Sequence, residues 1–295
     1  MNIGVIGGGA IGLLLSGYLA EEHNVTVYVR RTKQKLLIDL HGVRISDKFD
    51  RRQVQCELIH NIKDQDCIMV CVKQFQFLEI LPHLSSLGNE VLLVFLQNGM
   101  SHIEKISNLS QPISIGAVEH GAEKVNDYTV KHTGEGVIKL ASYSRVANNE
   151  LQQLLSELEQ HDFPMVYRDN WSILLKEKLI LNAVINPLTA LFQVKNSQVI
   201  QNEYIRFLAK QLCVEASFIL NLNEDKQWSQ VQRVAKNTGE NTSSMYKDIK
   251  ERRKTEIEAI SGYLLKQCSN TKIPYTSFVY HSLKALEKKK GILNK

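Results

Sequence analysis

Long apolar runs are what this chain most conspicuously lacks. The longest, such as VLLVFL at residues 91–96, have the length of a strand and fall well short of the roughly 18 residues that cross a bilayer. No membrane partner is expected. Charge of one sign is also scarce: the net charge is +5, basic and acidic residues are interspersed, and the one clear basic run is Lys288, Lys289 and Lys290. Such a run reads as a solvated helix end, so no nucleic-acid partner is expected. The five cysteines, at 56, 67, 71, 213 and 268, are odd in number and match no metal or redox spacing. Buried reduced thiols are expected, with no metal. No basic leader precedes the strand-like NIGVIG, so no secretory signal is expected and the reading is cytoplasmic.

What is present is an ordinary globular composition, 43% apolar and 23% charged, over 295 residues. That composition excludes disorder, and the length exceeds what one hydrophobic core usually serves, so two domains are expected. Glycine marks the division, since thirteen of the sixteen lie within residues 1–141. In this first part, short β-branched runs at 2–6, 25–29, 67–72, 91–96 and 113–118 alternate with helical segments at 10–22, 74–87 and 100–108. The alternation predicts an α/β domain with a doubly wound parallel sheet. YTVKHT and GVIKLAS flank Gly134-Glu135-Gly136 and predict a hairpin that extends the sheet. A helix at 147–161 and the strand-like FPMVYR follow, and Asp169-Asn170 then supplies a cap before a long apolar helix. The boundary is placed there, giving domains 1–168 and 169–295, the second an all-α domain with breaks near Gly239 and Pro274.

NIGVIGGGAIGLLLSGYLA reads as strand, glycine turn and apolar helix, and carries Gly7-x-Gly9-x-x-Gly12. In a dinucleotide fold these glycines serve a tight turn, backbone approach to the pyrophosphate, and close packing of helix on strand. The helix N-terminus adds unpaired N–H groups and a positive dipole end. The second strand, NVTVYVRR, ends on Arg30 and Arg31 where an NAD-binding protein usually has an acid. A guanidinium suits a 2′-phosphate, so NADPH/NADP is the expected cofactor. Arg30 directly follows the strand and is preferred over Arg31. The competing reading, solvated charges with NAD as cofactor, stays open. Lys73 and Asn98 each follow a strand end, where ligands bind in such sheets.

The run KEKLILNAVINPLTAL at 176–191 places two lysines and two asparagines in apolar surroundings. On a helix at about 100° per residue, Lys178, Asn182 and Asn186 fan across about 80°, whereas Lys176 lies about 160° round from Lys178. Only Lys178 shares the polar stripe. A lysine ammonium near a carbonyl under hydride attack can stabilise the nascent alkoxide and protonate it, and neutral asparagines can hold a substrate hydroxyl. The competing reading is three polar groups satisfied within a core. Pro187 is expected to bend the helix near Asn186.

Over essentially its whole length the chain resembles the ketopantoate reductase (2-dehydropantoate 2-reductase) family. GGGAIG, comprising Gly7, Gly8, Gly9, Ala10, Ile11 and Gly12, together with VCVKQFQ and QNGM, resembles that family's cofactor-binding segments. KLILNAVINPLTAL and NTSSMYKDIKERRKTEIEAI resemble its two signature segments in the helical domain. The resemblance implies reduction of the small 2-oxo acid 2-dehydropantoate to (R)-pantoate by NADPH, a step toward pantothenate and coenzyme A. It implies that Lys178 is the proton donor, that Asn182, Asn186 and Asn196 contact substrate, and that Asn241 and Ser244 form a substrate-binding turn. Glu256 would lie near the cofactor ribose and Lys178. Arg30 would bind the 2′-phosphate, Lys73 and Asn98 would line the nicotinamide side, and Ala122 would offer a backbone contact. Substrate is expected in a cleft between the two domains. A reductase of another branched 2-oxo acid and a non-catalytic NADP(H) sensor are the alternatives, and monomer and homodimer are equally compatible with the sequence.

Overall fold

The computed structural model describes residues 1–46, 48–160, 162–268 and 272–292. The chain divides into two units, one of Met1–Gln97 with Ile103–Leu174, the other of Asn98–His102 with the chain from Leu175 onward. In the first unit the strands are β1 (Asn2–Ile6), β2 (Asn24–Val29), β3 (Val43–Ser46), β4 (Phe49–Arg52), β5 (Gln55–Leu58), β6 (Cys67–Val70), β7 (Leu92–Phe95), β8 (Ile113–Val118), β9 (Gly121–Lys124), β10 (Thr129–Gly134), β11 (Ile138–Ser144) and β12 (Met165–Tyr167). Eight of them form one sheet in the order β12-β11-β8-β7-β6-β1-β2-β5, parallel except where β11 runs against β8. CIMV and ISIGAV are buried at every position, as strands covered on both faces must be. Strand order runs from β1 through β2 to β5 in one direction and from β6 to β8 in the other. The switch point therefore lies between β1 and β6, the position at which such sheets bind ligands.

Helix α1 (Ala10–Leu19) is buried from Gly12 through Leu19, on every side. A helix apolar all round needs two covers, and α1 has them: it packs on β1 and β2 of the large sheet and on β3, β9 and β10 of a second sheet ordered β4-β3-β10-β9. Gly17 permits the second contact, because a Cβ there would stand 2.8 Å from Ile45 Cδ1. Of the second sheet only β10, within YTVKHT, is signalled by the sequence, and there as an extension of the large sheet; the strands are short and bury few residues, among them Val43, Ile45 and Val130, so nothing marks them as a separate layer.

The predicted hairpin across residues 134–136 does not form. β10 pairs antiparallel with β9 in the second sheet, and β11 pairs antiparallel with β8 in the first. The glycines serve a crossing instead of a turn: a Cβ on Gly136 would lie 2.5 Å from the Glu119 carbonyl, and one on Gly121 would lie 3.0 Å from Gly134 N. Helix α2 spans Thr32–His41, and the stretch 74–87 splits into a 3-10 turn, Gln74–Gln76, and α3 (Phe77–Ser85). Of 100–108 only the short α4 (Ile103–Ile106) is helical, and α5 spans Asn148–Leu158.

The second unit's described elements are helices. α6 (Trp171–Phe192) begins where the Asn170 side chain accepts from Ile173 N at 3.0 Å, and it continues through Pro187. It is followed by α7 (Gln198–Gln201), α8 (Glu203–Leu220), α9 (Glu224–Asn237), α10 (Ser244–Lys250), α11 (Ser261–Gln267) and α12 (Pro274–Lys289). Asn202, Asn223 and Ser243 cap α8, α9 and α10 through side-chain oxygens. Helical pattern fails at residues 251–260, which form turns with Arg252 at φ 54°. Glu287 Oε1 accepts from Thr255 N at 2.9 Å and Thr255 Oγ1 at 2.8 Å, anchoring those turns to α12.

Cys56, Cys67, Cys71 and Cys213 are free thiols; Cys56, Cys67 and Cys213 are buried, whereas Cys71 and Cys268 are half-buried, against the expectation that all would be enclosed. No described helix is long and apolar enough to cross a membrane.

Candidate active site

The glycine loop joins β1 to α1 at the switch point. Gly7 has φ +113°, a conformation open to glycine, and a Cβ there would lie 3.2 Å from the Cys71 carbonyl carbon of the neighbouring strand end. A Cβ on Gly12 would lie 1.8 Å from Gly7 O, so only glycine lets α1 sit this close to the turn. At Gly9 a Cβ would meet nothing within 4 Å, which leaves the backbone open to approach. Gly9 is also the N-cap of α1 without a side-chain cap bond, so Ala10 and Ile11 begin a helix whose first N–H groups face outward for an anion. These features fit the pyrophosphate of a dinucleotide.

Arg30 lies just past β2 and donates to Glu79 Oε2 on α3 at 2.5 Å. Arg31 donates to Asp127 Oδ1, and to Gln34 Oε1 at 3.3 Å. Both guanidiniums thus stand at the β2 terminus, held by carboxylates from different elements. Lys73, half-buried, follows β6 and opens the 3-10 turn, with Gln76 N donating to its carbonyl at 2.9 Å. Ala122 lies in β9, opposite His132 of β10 and packed against the core of this unit.

The sequence offered no hint of a set of residues around Gly8. Gln34 Nε2 donates to Gly8 O at 2.8 Å and to Asp127 O at 2.9 Å, and Lys124 Nζ donates to Gly8 O and to Asp127 Oδ1, each at 2.9 Å. Burial alone would raise the Asp127 carboxyl, but hydrogen bonds from Lys124 and Arg31 outweigh it and hold the group below the ordinary aspartate range. Lys124 and Gly8 are 116 residues apart, and the second sheet brings them together, so no local motif could report them.

In the second unit, Lys178, Asn182 and Asn186 lie along α6, with Lys178 and Asn182 half-buried and Asn186 8% exposed. Asn182 Nδ2 makes a long 3.5 Å contact to Asn98 Oδ1, and Asn98 Nδ2 donates to Glu256 Oε2 at 3.1 Å. Gly99 makes the approach possible: it has φ +81°, and a Cβ would lie 2.5 Å from Ala259 O. Asn196 N donates to Asn241 O at 3.0 Å, and Asn196 Nδ2 donates to Thr238 Oγ1 at 2.9 Å. Thr189, one turn past Asn186, has its hydroxyl 2.7 Å from Ser243 Oγ. Ser243 is buried and accepts from Tyr246 N at 3.1 Å as the cap of α10; Ser244 is the exposed first residue of that helix. The geometry therefore joins Asn98, Asn182 and Glu256 by side chains, and Asn196 and Asn241 by backbone.

Comparison with known proteins identifies the family. A family model described as "Ketopantoate reductase PanE/ApbA" matches residues 3–145, and one described as "Ketopantoate reductase PanE/ApbA C terminal" matches residues 171–287. The 2-dehydropantoate 2-reductase of Bacillus subtilis is 41% identical over 98% of this chain and 98% of its own. That of Listeria innocua is 30% identical over 97% of each. A crystal structure of the probable 2-dehydropantoate 2-reductase of Bacillus subtilis superposes with a TM-score of 0.87 at 40% identity, covering 97% of this chain and 100% of that one. The chain belongs to the ketopantoate reductase family of oxidoreductases.

Proposed function

We propose that this chain reduces 2-dehydropantoate to (R)-pantoate at the expense of NADPH, with residues 1–168 binding the nucleotide and residues 169–295 binding the oxo acid. The observation that carries the reading is the Asn182–Asn98–Glu256 chain of polar groups on the same unit as Lys178. Family membership selects the substrate, and the absence of an acid at Arg30 and Arg31 favours the phosphorylated cofactor.

When bound, the reduced nicotinamide supplies the hydride that adds to C2 of the oxo acid. Lys178 Nζ, as an ammonium, stabilises the charge that develops on the carbonyl oxygen and gives it a proton, then regains one from solvent. Asn182 and Asn186 hold the substrate hydroxyl through neutral amides that cannot compete as acids, with Asn196 and Asn241 as further polar contacts. Ser244, exposed at the start of α10, donates its hydroxyl to the carboxylate, where the helix N-terminus adds a favourable dipole. Asn98 aligns Glu256 beside the cofactor ribose. Gly7 to Gly12 hold the pyrophosphate, Arg30 holds the 2′-phosphate, and Lys73 and Ala122 flank the nucleotide.

Steady-state oxidation of NADPH and of NADH, each with 2-dehydropantoate and with a panel of other branched 2-oxo acids, tests the reading. The expected result is the highest kcat/KM for 2-dehydropantoate with NADPH. A higher value for another oxo acid would displace the substrate, and no turnover with any of them would remove the catalytic reading.

A further inference from the structure

The contacts around Gly8 lie outside the residues assigned to the reaction, yet they end on the loop that would meet the nucleotide. Lys124 stands on β9 and its ion pair with Asp127 spans three residues, a spacing that by itself is ordinary for a tight hairpin. What is not ordinary is that the same ammonium leaves its hairpin and donates to Gly8 O at 2.9 Å, sharing that carbonyl with Gln34 Nε2 at 2.8 Å. The Lys124 and Asp127 side chains are only 26% and 18% exposed, and Gln34 is 5% exposed, so solvent screens these bonds less than it would at an open surface. Asp127 Oδ1 also accepts from Arg31 at the end of β2. One lysine therefore connects both parts of the nucleotide site in this unit, the loop that faces the pyrophosphate and the guanidinium beside the 2′-phosphate position.

We propose that Lys124 is a cofactor-positioning residue: through Gly8 O it fixes the glycine loop in its binding conformation, and through Asp127 it holds Arg31 in place. The proposal rests on the nucleotide-binding role of the glycine loop given above. Fixing the Gly8 carbonyl orients the peptide that follows it, so the N–H of Gly9 is presented to the pyrophosphate without an ordering cost at the moment of binding. Loss of the ammonium removes two charge-assisted hydrogen bonds and leaves Gly8 O with Gln34 alone.

The test is direct titration of NADPH and NADH, by nucleotide fluorescence, into the full chain and its Lys124→Met, Lys124→Arg and Asp127→Asn variants, alongside steady-state kinetics and thermal melts. In Lys124→Met both dissociation constants and both nucleotide KM values are expected to rise about tenfold while kcat stays within about twofold. Lys124→Arg is expected to recover most of the affinity. Asp127→Asn takes the carboxylate away from Lys124 and Arg31 but leaves the Gly8 contact possible, and is expected to raise both dissociation constants by less than Lys124→Met does. A Lys124→Met protein with both affinities within twofold of the parent would overturn the proposal, as would a fall in melting temperature with no change in binding. If the parent chain binds neither nucleotide, the functional reading itself fails, and that outcome is separate from any effect of Lys124. Should Lys124→Met not fold, Asp127→Asn decides: affinities for both nucleotides unchanged from the parent would overturn it.

Discussion

Asn98 Nδ2 donates to Glu256 Oε2 at 3.1 Å across 158 residues of sequence, and the same amide accepts from Asn182 of α6. Its two ends are thereby distinguished, since only the Nδ2 side can face a carboxylate. Both residues are partly buried, so a double-mutant cycle of Asn98→Ala and Glu256→Ala is expected to show coupling of about 1–2 kcal/mol in unfolding free energy. Strict additivity in denaturant melts would show that the contact contributes nothing. Each single variant is also expected to lower kcat/KM, Asn98→Ala because Asn182 of α6 loses a partner and Glu256→Ala because Asn98 loses the carboxylate that orients its amide.

Lys178 and Lys176 make an internal control on one helix. Lys178→Ala is expected to reduce kcat by about 10²- to 10⁴-fold, the usual range for loss of a positioned general acid. Lys176→Ala, on the opposite side of α6, is expected to leave kcat within twofold. Single-turnover rates for the two proteins check the assignment, and equal effects would remove it.

Arg30 and Glu79 form an ion pair whose side chains are 47% and 57% exposed, too open to contribute much stability. Glu79→Gln is therefore expected to leave the melting temperature nearly unchanged and to lower the KM for NADPH by about two- to threefold as Arg30 is freed. Arg30→Ala is expected to raise the KM for NADPH about tenfold with little change for NADH. If Arg31→Ala alone shows that pattern, the 2′-phosphate role belongs to Arg31.

Burial pushes the His102 imidazole from its ordinary 6.5 down to about 4. The folded chain keeps it neutral while the unfolded chain takes up a proton below about pH 6.5, so this contribution is complete above that pH and is lost as pH falls toward 4. The total is up to about 3 kcal/mol. Urea melts of the parent from pH 8 to pH 4, set against a His102→Leu protein, check the sign: the variant should show the shallower decline, and parallel curves would contradict it.

Much of the fold was legible because its rules act over a few residues. Strand, glycine turn and helix follow from NIGVIGGGAIGLLL, and the angular grouping of Lys178, Asn182 and Asn186 follows from helical periodicity alone. The all-round apolar α1 carried a further implication, a second covering layer, but of its strands only YTVKHT stood out, and the pattern assigned it to the large sheet because the others are short and bury few side chains. Gly134-Glu135-Gly136 misled for a related reason: glycine permits both tight turns and close backbone crossings, and only the path of the chain chooses between them.

The sequence by itself therefore determined the chemistry available: a glycine turn for a phosphate, basic residues after β2, and one lysine on an asparagine face. Tertiary structure alone decided which groups meet. It gathered Asn98 to Glu256, Lys124 to Gly8, and Thr255 to Glu287, and it made Ser243 a buried cap while leaving Ser244 exposed. Local propensity extends over a turn or two of chain, whereas these contacts close loops of tens to more than a hundred residues, and only burial of the intervening core offsets the entropy of closing them.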